Sequence, residues 1–344
     1  MPVPSAPPRR RPPWRVALFV LVCAAAWLTG GGVAGGHRAW AQGDPDGGDP
    51  DAGREFPKTL ILDEPGIDDE ISLPTVSSIG YGATPGGPGY VQNGVAFEID
   101  KTITDRVDLQ LTGGYLDLVS QGAGAGADAG AGAGGRRRDG WDDFALTSKW
   151  VVVQAPATET IATLGLTRSF GGTGAAQVGA ARSGSTTPTL YFGQGLGTAP
   201  VAAALRPFAV TGTIGYEVPD DSHAGFGVRF PQTLQIAGSV QYSLSYLAPW
   251  IARAGLPDGV GDAVARLIPI VEASYAIPTT DATGSDARQG FVAPGLIYAG
   301  DGYQLAAEAL VPLTRASGSS VGVIAQLNLS FRAIGLGALA RPLF

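Results

Sequence analysis

The chain has 344 residues, of which 52 are glycine, 44% are hydrophobic and only 15% are charged. That length holds one large β-domain or two smaller ones, and that balance fits neither a disordered polymer nor a helical membrane protein. The formal net charge of −7 makes nucleic acid and acidic ligands poor partners.

Arg9, Arg10, Arg11 and Arg15 open the chain, Val16 to Leu28 form an apolar run, and Ala39-Trp40-Ala41 is a small-residue cleavage motif. The apolar run is too short to cross a bilayer, so residues 1–41 are expected to be a cleaved signal peptide with Gln42 as the mature start. Val22 occupies the place where a lipoprotein signal needs a small residue before Cys23. Cleavage removes five of the 23 basic residues, none of the 30 acidic ones, and the only cysteine and methionine, leaving 18 basic against 30 acidic and a net charge of −12. An exported chain without cysteine has neither disulfides nor a thiolate metal site. No cofactor and no metal are expected; a calcium loop starting at Asp44 would need glycine at its sixth position and has Asp49.

Residues 43–53 contain almost nothing that can be buried, and Asp63, Glu64, Asp68, Asp69 and Glu70 add a second acidic cluster before Leu73-Pro74. Residues 42–74 are therefore expected to form a flexible acidic tail.

Period two then dominates. Val107, Leu109, Leu111, Gly113 and Tyr115 oppose Arg106, Asp108, Gln110 and Thr112, and Phe208, Val210, Gly212, Ile214 and Tyr216 oppose Ala209, Thr211, Thr213, Gly215 and Glu217. Between Leu234 and Tyr246 an apolar face closed by tyrosines alternates with Gln235, Ala237, Ser239, Gln241, Ser243 and Ser245, and a similar run covers 321–332. Weaker versions lie near 93–103, 142–153, 160–170, 188–196, 267–277, 291–299 and 303–313, with Thr75 to Tyr81 as a twelfth. The polar faces carry amides and hydroxyls where a half-buried soluble strand carries lysine and glutamate. The pattern predicts an all-β, transmembrane, antiparallel up-and-down barrel of about 12 strands. Connections alternate between long and short as both termini in the periplasm require, except 247–266, which holds either a short amphipathic helix or a missed strand pair. The expected organisation is a signal peptide at 1–41, a periplasmic tail at 42–74 and an outer-membrane barrel at 75–344.

The loop 121–135 is nearly pure glycine and alanine and cannot pack. Arg136, Arg137 and Arg138 follow it, as solvated charge or as contacts for lipopolysaccharide phosphates.

Glu98, Thr104-Asp105-Arg106, Trp141-Asp142-Asp143 with Lys149, Pro294-Gly295-Leu296-Ile297-Tyr298, Tyr303-Gln304-Leu305 and Glu308-Ala309-Leu310-Val311-Pro312 form a set of short motifs. Over roughly 93–334 the chain resembles the outer-membrane β-barrels described as transporters or meta-pathway phenol-degradation proteins. The resemblance implies a single-chain, pore-like barrel that moves small molecules, hydrophobic ones among them. Phe344 fits the terminal aromatic of such barrels, whereas Pro342 interrupts any strand before it.

Strand parity points Glu98, Asp100, Asp108, Asp143, Lys149, Glu217, Glu272, Glu308 and Arg332 into the lumen. In an open lumen their carboxylate excess favours cationic or neutral solutes; in a plugged one Lys149 and Arg332 pair with neighbouring carboxylates. Trp150, Tyr216, Tyr242, Tyr246 and Tyr275 suit an aromatic girdle. His223, in the loop Asp220-Asp221-Ser222-His223, is the only mature histidine, and no H-E-x-x-H occurs. The leading expectation is a non-enzymatic pore for small cationic, neutral or hydrophobic solutes, set in lipid and lipopolysaccharide by the barrel-assembly machinery. The alternatives are a plugged structural barrel with a periplasmic partner and a barrel hydrolase using His223.

Overall fold

The computed structural model describes residues 54–83, 88–121, 137–221, 230–257, 259–280 and 288–344. The signal segment, residues 43–53, the glycine-alanine loop up to Arg136, and His223 lie outside the described residues. Thirteen strands run in chain order: Glu70–Tyr81 (β1), Tyr90–Thr104 (β2), Val107–Ser120 (β3), Arg137–Trp141 (β4), Ala145–Ala155 (β5), Thr160–Ser169 (β6) and Ser185–Gly195 (β7). Phe208–Pro219 (β8), Thr233–Tyr242 (β9), Leu267–Pro278 (β10), Gln289–Ala299 (β11), Tyr303–Pro312 (β12) and Gly322–Ser330 (β13) complete them. All pairings are antiparallel, and β13 returns to β1 with Glu70 opposite Ser330 and Ser78 opposite Val323, which closes the sheet. β4 and β5 share one place, β5 pairing with β3 over 107–112 and β4 over 115–119. The wall is thus a closed barrel of twelve staves, as the alternation predicts.

Parity explains the wall. Leu109, Leu166, Leu190, Ile214, Val240 and Val271 point outward and are exposed, while Gln110, Thr163, Thr187, Thr211, Ser239 and Gln241 point inward and are buried. An apolar exterior around a polar interior inverts the soluble pattern and suits lipid. No helix among the described residues is long and apolar enough to cross a membrane. The end at which β1 begins and β13 ends also carries the short turns 104–107, 155–160 and 299–303.

Three boundaries differ from the sequence reading. β1 starts at Glu70 rather than Thr75, with a register shift between Ser72 and Thr75 that lets Leu73-Pro74 stay in the wall. Arg137 and Arg138 belong to strand β4, where Arg137 Nε donates to Asp117 Oδ1 at 2.7 Å. β9 ends at Tyr242; Leu244–Leu247 is a 3-10 turn that leads into short helices Ala248–Arg253 (α1) and Val260–Ala265 (α2). Pro249 sits in the first turn of α1, where a missing N–H costs nothing. The odd connection 247–266 therefore holds helices and not a strand pair.

Candidate functional site

The lumen has two kinds of wall. β10 to β12 supply an apolar layer of Ile268, Ile270, Ile297, Ala299 and Ala306, joined above by Ile79, Ala293 and Leu310. Opposite, β2, β3 and β5 supply Glu98, Asp100, Asp108 and Lys149, and β6 to β9 mostly hydroxyls and amides. Residues 54–69, expected to hang free as a tail, run inside this lumen and meet both walls with matching chemistry. Leu60 packs on the lower apolar layer and Ile61 on the upper one.

The polar face of the segment is held by charge. Lys58 is nearly fully buried, with Nζ 2.7 Å from Asp100 Oδ2, 3.1 Å from Glu64 Oε1, 3.2 Å from Glu70 Oε1, and paired also with Glu98. Lys149, with no solvent exposure, reaches in from β5 to Asp63 Oδ1 at 2.8 Å and Glu64 Oε1 at 3.3 Å. Glu272 on β10 receives the backbone N–H groups of Leu60, Ile61 and Leu62 at 3.0, 2.7 and 3.1 Å. Three successive amides on one carboxylate form an anion nest built from the segment's own backbone. Gln304 donates to Lys58 O at 2.6 Å, and Thr163 Oγ1 to Pro65 O at 2.5 Å.

Arg54 anchors the segment at the short-turn end of the barrel. Its guanidinium donates to Pro207 O at 2.7 Å and Phe208 O at 3.1 Å, lies 4.8 Å over the Tyr246 ring, and stands 3.8 Å from Glu159. Tyr246, expected on the lipid face, has left the strand and donates instead to Glu159 Oε1 at 2.6 Å. Glu159 is the only non-glycine residue of positive φ (50°) among the described residues, a conformation sustained by these partners. A side chain at Gly195 or Gly197 would run into the Glu159 carboxylate and displace it from Tyr246 and Arg54.

Seven of the nine predicted lumen residues line the interior: Glu98, Asp100, Asp108, Lys149, Glu217, Glu272 and Glu308. Glu308 stands beside Glu272. Asp143 and Arg332 do not. Asp143 lies between β4 and β5, where the strand period breaks, and accepts N–H groups of Gly174 (2.8 Å) and Ala181 (2.6 Å), shaping the loop after β6. Arg332 follows the end of β13 and is exposed on a turn at the short-turn end. Sequence reasoning missed Arg54, Lys58, Asp63, Glu64 and Glu159, the residues that close the lumen. At the opposite rim Arg168 grips Asp220 and holds its carboxyl below the usual range.

Above the plug a vestibule of about 480 Å³ opens between β3 and β11, with Ile61, Leu62 and Asp63 as its floor. No protein-family model matches the sequence, and no curated protein does. Among solved structures, an outer membrane channel from Pseudomonas putida F1 is similar over 79% of this chain and 97% of its own, at 12% identity and a TM-score of 0.50. The two share the fold, a closed antiparallel β-barrel. NanC porin (7% identity, TM-score 0.43, 75% of this chain and 98% of that one) and LpxR from Salmonella typhimurium (11%, 0.37, 75% and 100%) are similar more loosely. At such identities the likeness concerns the fold, and the phenol-degradation kinship remains a resemblance carried by the short motifs.

Proposed function

We propose that this chain is an outer-membrane channel held shut by its own residues 54–69, and that it passes small hydrophilic solutes, neutral or cationic, once that segment leaves the lumen. The observation that carries this reading is Lys58, a residue of the segment, buried among Glu70, Glu98 and Asp100 of the wall. A purely structural core would be cheaper to build from apolar residues, because burying ions costs several kcal/mol each. A polar plug in a polar lumen costs little to rehydrate, which suits a segment that comes and goes. The hydrolase alternative turned on His223, which lies outside the described residues.

Planar-bilayer recording tests the reading. The intact chain gives rare or no openings; a chain lacking residues 54–69 conducts most of the time. Removal of the segment leaves Glu70, Glu98, Asp100, Asp108, Glu272 and Glu308 against Lys149 along the open lumen. The open channel is therefore cation-selective. Equal silence of both proteins, or clear anion selectivity of the shortened one, refutes the proposal.

A further inference from the structure

We infer that the vestibule above the plug is a binding site for a neutral mono- or disaccharide. The inference rests on the channel reading and names the class of solute the channel takes. A cavity of about 480 Å³ falls within the range of small-molecule sites, about 300–1,000 Å³. Its wall is built from hydrogen-bonding groups that the protein leaves available: Ser185, Thr187, Thr213 and Ser274, on β7, β8 and β10, make no side-chain hydrogen bond to another described residue. Ser185 and Thr187 are at the same time more than nine-tenths buried, so their hydroxyls serve the cavity rather than bulk solvent.

Charge and shape narrow the class. Among the described residues no lysine or arginine lines the vestibule, which disfavours anions. Of the two carboxylates among its described lining residues, Asp63 is paired with Lys149 at 2.8 Å, and Glu217, which accepts from the neutral amide of Gln235 at 3.1 Å, is the single charge left without an opposite one. An apolar solute would displace water from the hydroxyls and give nothing back, at roughly 1–3 kcal/mol per stranded group. A sugar satisfies hydroxyls on its rim and sets its C–H face against apolar surface, which Tyr191, Phe291 and Ile61 provide.

Calorimetric titration of the full chain in detergent tests this, with maltose as the neutral probe and sodium glucuronate, choline chloride and phenol as anionic, cationic and apolar ones. The expected result is saturable maltose binding with Kd on the order of 1 mM. Thr187→Val and Thr213→Val should each weaken it about three- to tenfold, the worth of one hydrogen bond. Heat-dependent gel mobility confirms that both variants keep the barrel. Absence of saturable maltose binding, indifference to both valines, or tighter binding of choline, glucuronate or phenol overturns the inference. Conductance of the shortened chain is read separately: if it persists while maltose fails, the channel stands and the saccharide falls, and the reverse outcome sinks only the channel.

Discussion

Lys58→Met should open the lumen without dismantling the wall. The substitution keeps the length of the side chain and removes the charge that faces Glu64, Glu70, Glu98 and Asp100. Taking one partner from a buried ionic cluster costs about 3–5 kcal/mol, because the charges left behind stay desolvated. At about 1.4 kcal/mol per factor of ten, the docked segment loses roughly two to three and a half powers of ten in occupancy. Proton uptake by the abandoned carboxylates trims the upper end of that range. The wall loses little, since the closure between β1 and β13 is made of backbone hydrogen bonds that Lys58 does not touch. In planar bilayers the variant's open probability should rise at least a hundredfold over the intact chain. The triple variant Lys58→Met, Glu98→Gln, Asp100→Asn should fall back toward closure, because the repulsion that expels the segment is reduced. A Lys58→Met protein that stays as silent as its parent, or a triple variant as open as the single one, refutes the electrostatic account of closure.

Leu62 is 4% exposed, so a cysteine there, with Cys23 replaced by serine, should resist a water-soluble maleimide and react readily once Lys58→Met is added. Equal labelling of the two proteins would contradict a plug that moves. Glu272→Gln keeps one carbonyl oxygen for the amides of 60–62 but loses the charge, and should loosen the segment by about 1.5–3 kcal/mol, seen as openings more frequent than in the parent. Leu190 points outward at the centre of β7, and Leu190→Arg should destabilise the barrel by about 2–4 kcal/mol in urea-dependent refolding into lipid vesicles. No loss there would mean that this face does not meet lipid.

The wall is legible in the sequence because its signal is local. Each stave announces itself by alternation within about ten residues, and a lumen rich in threonine, serine and glutamine separates it from a soluble strand. The plug is not legible, because its contacts are remote: Lys58 meets Asp100 across 42 positions, Asp63 meets Lys149 across 86, and Leu60 meets Glu272 across 212. Its backbone joins no ladder, so it has no period to detect. One clue was present, the apolar triplet Leu60-Ile61-Leu62 inside an acidic stretch, which a solvated tail has no use for. The misplaced residues share another cause. Parity was carried across the break at 142–144 for Asp143, past the end of β13 for Arg332, and past the end of β9 for Tyr246. Alternation says which face a residue takes only while the strand lasts.

In a cylinder of hydrogen-bonded staves each strand is tied to two neighbours alone, and nothing in the ladder keeps the ring round. Residues 54–69 act as a hub with spokes: Lys58 ties to β1 and β2, Asp63 and Glu64 to β5, Pro65 to β6, Leu60 to Leu62 to β10, and Lys58 O to β12. Strands on opposite sides of the ring are thereby set at fixed distances from each other. Withdrawing the hub removes every one of these struts at once, so the emptied cylinder is free to flatten and recover. Its current should be noisy, spread over several levels instead of one.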